Sequence, residues 1–260
     1  MPIRSASHIH FFQFESFTRL PVVHAIFTRE GGVSPAPWDS LNVGGTVGDE
    51  PGRVHANHQR ALDALQRPMG SLFDVWQVHS AEYVQAQQPR GEDPHAKADI
   101  LITANPEVTL FMRFADCVPI MLVDPVNKAV AIAHAGWLGT ARGAAGAAVA
   151  ALHENFGSRP EDLYAGLGPS IGPDHYEVGP DVLARFRQAF SGQAEAHFLK
   201  RNGSLYLDLW SANQAQLHTA GVENIETARI CTACDLRRWF SHRAEKGKTG
   251  RFGALIALNI

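Results

Sequence analysis

Short apolar runs, none longer than a strand needs, constrain this chain more than any other feature. Thr109 to Phe114, Ile120 to Val123 and Ala129 to Ala133 are almost wholly apolar, and charged or turn-forming residues bound each of them. Runs this short read as strands rather than helices. His8 to Phe17 and Val22 to Thr28, rich in aromatic and β-branched residues, read the same way. So do Val75 to Val78, Leu163 to Leu167, Leu205 to Leu207, Ile225 to Ile230 and Phe252 to Leu258. Helical patterns fall between them. Pro51 to Leu65 has proline in its first turn and Asp49 or Glu50 at its start. Gly139 to Phe156 is Ala-rich and closed by Gly157. Pro180 to Phe190 and Leu209 to Ala220 follow, the latter with Asp208 as N-cap. Strands and helices do not alternate strictly, so the expected fold is α/β (α+β), with mixed β-sheets flanked by helices. No repeat, low-complexity tract or Pro/Ser-rich linker divides the 260 residues, which points to a single domain over 1–260.

Composition excludes several partners. A net charge of −3 provides no basic field for nucleic acid. The longest apolar stretches fall short of the roughly 20 residues that span a bilayer. Met1-Pro2-Ile3-Arg4-Ser5-Ala6-Ser7-His8 lacks the apolar core of a signal peptide. Three cysteines, Cys117, Cys231 and Cys234, are too few for a disulfide scaffold and fit a reducing compartment. The expectation is a cytoplasmic protein with neither nucleic acid nor membrane as partner.

Two histidines and a cysteine stand where apolar runs stop: His79 in Gln77-Val78-His79-Ser80, Cys117 in Ala115-Asp116-Cys117-Val118-Pro119, and His134 in Ala133-His134-Ala135-Gly136-Trp137. Imidazole and thiolate suit borderline-soft divalent ions, and three protein ligands leave a fourth tetrahedral position open for chemistry. The alternative is a buried cysteine with two satisfied histidines. Asp116, beside Cys117, reads either as the carboxylate that orients a ligand histidine or as a turn aspartate.

Other motifs are weaker. Cys231-Thr232-Ala233-Cys234 is a CxxC with no second CxxC and no thioredoxin-like context, so it reads as two ordinary cysteines near a strand end. A redox pair or half of a zinc site is its alternative. His8-Ile9-His10 puts two histidines on one strand face at the terminus and reads as surface decoration. Asp235 to Arg251, rich in Arg, Lys and His, is either an anion clamp or a solvated loop. Gly44-Gly45-Thr46-Val47-Gly48-Asp49 precedes a helix but matches no phosphate-loop spacing.

In order, the motifs resemble one family. They are Phe27-Thr28-Arg29-Glu30-Gly31-Gly32-Val33-Ser34, Ser40-Leu41-Asn42-Val43-Gly44, Val47-Gly48-Asp49, Gln77-Val78-His79, Ala115-Asp116-Cys117-Val118-Pro119, His134-Ala135-Gly136-Trp137, Gly168-Pro169-Ser170-Ile171-Gly172, Leu207-Asp208-Leu209, Cys231-Thr232, and Phe240-Ser241-His242-Arg243 with Thr249-Gly250-Arg251. Together they resemble the YfiH/YlmD family, also called the laccase-domain or polyphenol oxidase family, across roughly residues 20 to 258. The resemblance implies an α/β core shared with a deamidating bacterial toxin. It implies one metal ion, usually zinc, or copper under the older label, on His79, Cys117 and His134. It implies phosphorolysis of adenosine, inosine and methylthioadenosine, with adenosine deamination; the older label is copper-dependent polyphenol oxidase. Purine nucleosides and phosphate are then the expected partners.

The chemistry helps choose between these labels. A multicopper oxidase needs several HxH pairs, whereas His8-Ile9-His10 is the one present and lies outside the motifs. A metal-free cysteine hydrolase, with Cys117 as nucleophile and His134 as base, is the other competitor, and an interaction module with a structural metal is a non-enzymatic one. Catalytic roles are expected for Cys117, His134, Asp116 and Arg243, and substrate contacts for Asn42, Asn57, His58 and Arg60. The chain departs from the family at His58 and Leu138, where arginine is usual. Arg60, Arg142, Arg243, Arg251 and a partly charged His58 are the candidates to bind phosphate instead.

Overall fold

The computed structural model describes residues 3–190 and 192–259; Met1, Pro2, Ser191 and Ile260, which fall within the expected 1–260 domain, lie outside the described residues. Two six-stranded sheets dominate. The first runs Ile3–Ala6, Ile9–Phe12, Val22–Phe27, Phe252–Leu258, Thr109–Phe114, Leu72–Phe73. The second runs Asn224–Thr227, Tyr164–Leu167, Val118–Asp124, Ala129–Ala135, Ile100–Thr103, Tyr83–Gln85. Both are mixed: Leu72–Phe73 is parallel to its neighbour in the first, Tyr83–Gln85 and Asn224–Thr227 to theirs in the second, and the remaining pairs are antiparallel. A small sheet of Glu177–Val178, Ser204–Leu207 and Phe198–Arg201 is added. The α/β fold with mixed sheets is thus as expected.

Apolar runs are continuous because these strands are covered on both faces. Along Val118–Asp124, Met121 and Val123 face the first sheet in a core with Ile26, Leu110, Met112 and Ile256. Val118, Ile120 and Leu122 face the other way, against Ala144, Ala148 and Leu152 of helix Ala144–Phe156 and Leu217 of helix Leu209–Thr219. Helix Pro51–Asp63 covers the outer face of the first sheet, Ala61 and Leu62 meeting Phe11, Phe27, Phe111 and Leu255. The order is helix, sheet, sheet, helices. No helix among the described residues is long and apolar enough to cross a membrane.

Local departures from expectation have local causes. The Ala-rich helix is two, Trp137–Ala141 and Ala144–Phe156, because Gly143 takes a left-handed φ of 82° between them. The strand beginning near His8 stops at Phe12; beyond it the Phe14 N–H donates to a side chain, Nε2 of His24, at 2.9 Å. Val75 to Val78 forms no strand, for reasons given below.

His24 is 2% exposed and stacks on Phe14. Burial, reinforced by the Arg4 charge, lowers its pKa to about 4. The unfolded chain therefore binds the proton more readily. Stability is full above the ordinary histidine range and falls between about pH 6.5 and 4, by about 3 kcal/mol if this group acts alone. Urea unfolding across that range is expected to show this slope. His24→Gln, which keeps an acceptor without titrating, is expected to remove its share of the slope and leave the part due to buried His58.

Candidate metal centre

The hairpin of Val118–Asp124 and Ala129–Ala135 sets two of the three donors. Val118 lies opposite Ala135, and Pro119 opposite His134. Residues two apart share a face, so Cys117, one step before the strand, shares the face of Pro119 and is a diagonal neighbour of His134. That face is the one toward the first sheet, continued by Met121, Val123, Val130 and Ile132. The centre therefore sits at the end of the layer between the sheets, where the strands stop. His134 is buried, packed at 5.4 Å from the Phe114 ring, and Cys117 is partly exposed.

His79 arrives on a loop. Gln77 pairs its side-chain amide with the backbone N–H and C=O of Arg113, at 2.9 and 2.8 Å. The N–H groups of Val78 and Ser80 go to a carboxylate, Asp99 Oδ2, at 3.0 and 2.6 Å, with the Ser80 hydroxyl at 2.8 Å. These side chains replace a ladder, so no strand forms, and His79 turns with φ of 58°. Arg142 clamps the turn by donating to the His79 carbonyl at 2.7 Å. The other Asp99 oxygen lies 2.8 Å from His134 Nδ1. One fully buried carboxylate thus fixes both histidines and leaves His134 Nε2 as the ligand atom, a common arrangement behind metal-bound imidazole. Asp99 was not singled out in the sequence; its one signal is an acidic residue opening the apolar run Ile100-Leu101-Ile102.

One donor atom each from His79, Cys117 and His134 lies within 4.8 Å of the others. Burial alone raises the Cys117 thiol pKa, but His134 and then His79 outweigh it and bring it down to about 6. Burial alone lowers that of His134, but the Cys117 thiolate and Asp99 lift it to about 9. Burial likewise raises Asp99, yet His134 and Ser80 hold it at about 2. A deprotonated sulfur beside two imidazoles, one already oriented, is a donor set that fits zinc.

Gly136 lies beside Cys117 across the ladder. A Cβ there would stand 2.7 Å from Cys117 Sγ and 3.3 Å from His79 Cδ2, while the backbone, at φ −77°, would accept any residue. Gly136→Ala is therefore expected to push the sulfur aside and weaken zinc binding at this centre at least tenfold, with an unchanged circular dichroism spectrum; chelator competition measures it.

Asp116 touches no ligand histidine; that bond belongs to Asp99. Asp116 instead ties three loops to the turn before Cys117, in a left-handed conformation at φ 86°. Its Oδ1 accepts from the Thr232 hydroxyl and its Oδ2 from the Arg243 N–H, both at 2.7 Å, and its carbonyl from Ile171 N at 2.9 Å. Arg243 is exposed and lies over the Tyr176 ring, 4.9 Å from the centroid. Burial raises the Tyr176 pKa, with the Cys117 charge adding to it. Arg251 is lowered by burial and lifted in part by the charges of Cys117 and Asp116. Of the basic stretch from Asp235 to Arg251, Arg251 is near enough to feel the Cys117 charge, whereas the Arg243 guanidinium lies over Tyr176 and donates to the Glu177 carbonyl.

The four expected substrate contacts are not brought into it. Asn42 is fully buried and accepts from Gly44 N and Arg251 N, so it positions Arg251 rather than facing solvent. Asn57, also fully buried, bonds Ser34, Ser40, Asn42 and Val33 within the loop packing. His58 packs edge-on to Phe111, whose cluster lies on the outer face of the first sheet. Burial lowers its pKa to about 3, so it is neutral near pH 7 and supplies no cation for phosphate. Arg60, on the same helix, donates to the Gly31 carbonyl at 2.9 Å. The first sheet separates this helix from the inter-sheet layer. His10 pairs with Glu30 at 3.2 Å, apart from the donor cluster.

Fold and site define a class: an α/β protein of two packed mixed sheets, with a two-histidine, one-cysteine donor centre at the end of the layer between them. The comparisons agree. Residues 23–259 match the family model described as multi-copper polyphenol oxidoreductase laccase. "Purine nucleoside phosphorylase" of Deinococcus radiodurans is 40% identical over 92% of this chain and 90% of its own length. "Purine nucleoside phosphorylase YlmD" of Geobacillus stearothermophilus is 37% identical over 90% and 89%. The crystal structure of that organism's YlmD superposes with TM-score 0.92 at 33% identity, covering all of both chains. That of Bacillus licheniformis YfiH superposes with TM-score 0.91 at 34% identity, over 99% of each. The chain belongs to the YfiH/YlmD, or laccase-domain, family.

Proposed function

We propose that this chain is a purine nucleoside phosphorylase that cleaves inosine, adenosine and methylthioadenosine with phosphate, and that also deaminates adenosine. The observation that carries the proposal is the convergence of His79, Cys117 and His134, with Arg251 near enough to feel the Cys117 charge and Arg243 tied through its backbone to Asp116, next to Cys117. The names of the relatives support it. His79, Cys117 and His134 would hold the ion, zinc by donor chemistry. When bound, such an ion supplies a Lewis acid and a water of pKa near 7.

The remaining roles belong to the chain itself. Arg243 and Arg251 neutralise phosphate and orient it toward the ribose carbon. Asp116 holds the backbone of Arg243, and Asn42 that of Arg251, so both act through their arginines. Asp99 holds the His134 proton on Nδ1, so that Nε2 is the nitrogen that would give up its proton to a bound ion. Leu138 and His58 then matter little, since other cations serve. The whole of 1–260 acts as one domain in a reducing cytoplasm, where Cys117 stays a free thiol.

Two competitors are separable. The Cys117–His134 thiolate–imidazolium pair favours a metal-free cysteine hydrolase, which a thiol reagent would inactivate and a chelator would not. The oxidase label has no matching donor set among the described residues: the two clusters of three or more donors contain two histidines and one, too few for a trinuclear copper group. The test is product analysis. Hypoxanthine and ribose 1-phosphate should form from inosine only with phosphate, and inosine from adenosine without it. Base release indifferent to phosphate would contradict the reading.

A further inference from the structure

Among the described residues, one other group of donors converges. Asp174, His175, Cys231 and Cys234 each place one ligand atom within 4.8 Å of all the others. Two pieces of chain supply them. Cys231 to Cys234 is a tight turn in which Cys234 N donates to the Cys231 carbonyl at 3.2 Å. Asp174 and His175 lie on the turn after Gly172, whose carbonyl accepts from His175 N at 3.0 Å. The pieces are joined by backbone: Ser170 bridges to Cys231 in parallel, Ser170 N donates to Ile230 O at 3.1 Å, and Thr232 N donates to Ser170 O at 3.0 Å. The fold therefore holds the cluster together without help from the side chains.

The distances are those of coordination. His175 Nδ1 lies 3.6 Å from both Cys231 Sγ and Cys234 Sγ, and 3.2 Å from Asp174 Oδ1. A ring nitrogen pairs with one neighbour at a time, donating its single proton or accepting one thiol S–H through its single lone pair, so it cannot serve all three. A tetrahedral zinc ion satisfies all of them: bonds of about 2.3 Å to sulfur and about 2.05 Å to nitrogen put those atoms about 3.6 Å apart. Gly172 N donates to Cys231 Sγ at 3.2 Å, a bond that strengthens when the sulfur is a thiolate. We propose that Asp174, His175, Cys231 and Cys234 form a second zinc site, structural in kind because four protein ligands close it. The CxxC, read from sequence as two ordinary cysteines, is then half of a site whose other half lies 56 residues earlier.

The site sits under the first one. Thr232, between the two cysteines, donates its hydroxyl to Asp116, next to Cys117. Tyr176, next to His175, lies under the Arg243 guanidinium. An ion here pins the platform that carries Arg243.

The test is elemental analysis of the full chain, purified under reducing conditions and dialysed against a mild chelator. Two zinc ions per chain are expected in the parent and one in Cys117→Ala. One is expected in Cys231→Ser/Cys234→Ser, with a lower melting temperature, and none in the triple variant. Should the cysteine variants fail to fold, cobalt added to zinc-stripped Cys117→Ala should give the intense visible absorption of a tetrahedral thiolate site. A metal-free Cys117→Ala protein without that spectrum overturns the proposal. So does a second equivalent that survives loss of both cysteines, or a Cys231–Cys234 disulfide in the purified protein. This result does not depend on which reaction the first centre performs.

Discussion

Cys117→Ala is expected to lose the ion of the catalytic centre and all turnover of inosine and adenosine, while keeping its fold. The sulfur is the one anionic donor of the trio, and it stands between two imidazoles. Without it, His79 and His134 remain as two neutral ligands on different elements, too few to hold a divalent ion tightly. Losing an outer hydrogen-bond partner of a ligand typically costs 10- to 100-fold in affinity or activity, so losing the ligand itself should exceed about 100-fold in both. Stability should change little, because Cys117 is only partly buried and the strand after it is anchored by its own core. Isothermal titration with zinc, circular dichroism and an inosine assay separate these effects. Retained turnover in a protein without this ion would contradict the account.

Asp99→Asn should come close to that effect without touching a donor atom. Asp99 Oδ2 takes three donors from Val78 and Ser80, and Oδ1 faces His134 Nδ1. An amide has one oxygen. If it stays with the three donors, the NH2 group faces His134, makes Nδ1 an acceptor and moves the ring proton to Nε2, where the ion must bind. If it turns around, the NH2 group meets the Val78 and Ser80 N–H groups, and the His79 turn loses its anchor. Either way one histidine is spoiled, and zinc affinity should fall about 100-fold. Stability should fall by about 2 kcal/mol or more, since the pKa of this fully buried carboxyl is held at about 2 rather than 3.8. Asp116→Asn is the contrast: it should loosen Arg243 and slow turnover while leaving zinc affinity nearly unchanged. Equal zinc affinity in Asp99→Asn and the parent would remove Asp99 from the account.

How far the sequence speaks follows from which interactions are local. Thr109–Phe114 and Val118–Asp124 were legible because strands buried on both faces must be apolar throughout. Cys117 and His134 were legible for the same reason, as soft donors where such runs end. Ile100–Thr103 went unread because three apolar residues and a threonine after a charged loop carry little signal, and Asp99 was lost with it. The loop of His79 imitated a strand because its Val78 and Ser80 N–H groups are satisfied by Asp99 and Gln77 reaches Arg113 through its side chain, a long-range exchange that no local pattern reveals. His58 and Arg60 share a helix with Asn57, but sequence order does not say on which side of a sheet a helix packs. The partners of the CxxC were invisible for a similar reason: His175 meets Cys231 only because Ser170 bridges to it.

The most direct test joins metal content to chemistry in one pair of proteins. Parent and Cys117→Ala, purified side by side, are analysed for zinc and then given inosine with and without phosphate. The account predicts one fewer zinc ion per chain in the variant, phosphate-dependent hypoxanthine release by the parent, and none by the variant. Equal zinc content in the two proteins, or phosphate-dependent release that persists in Cys117→Ala, would contradict it.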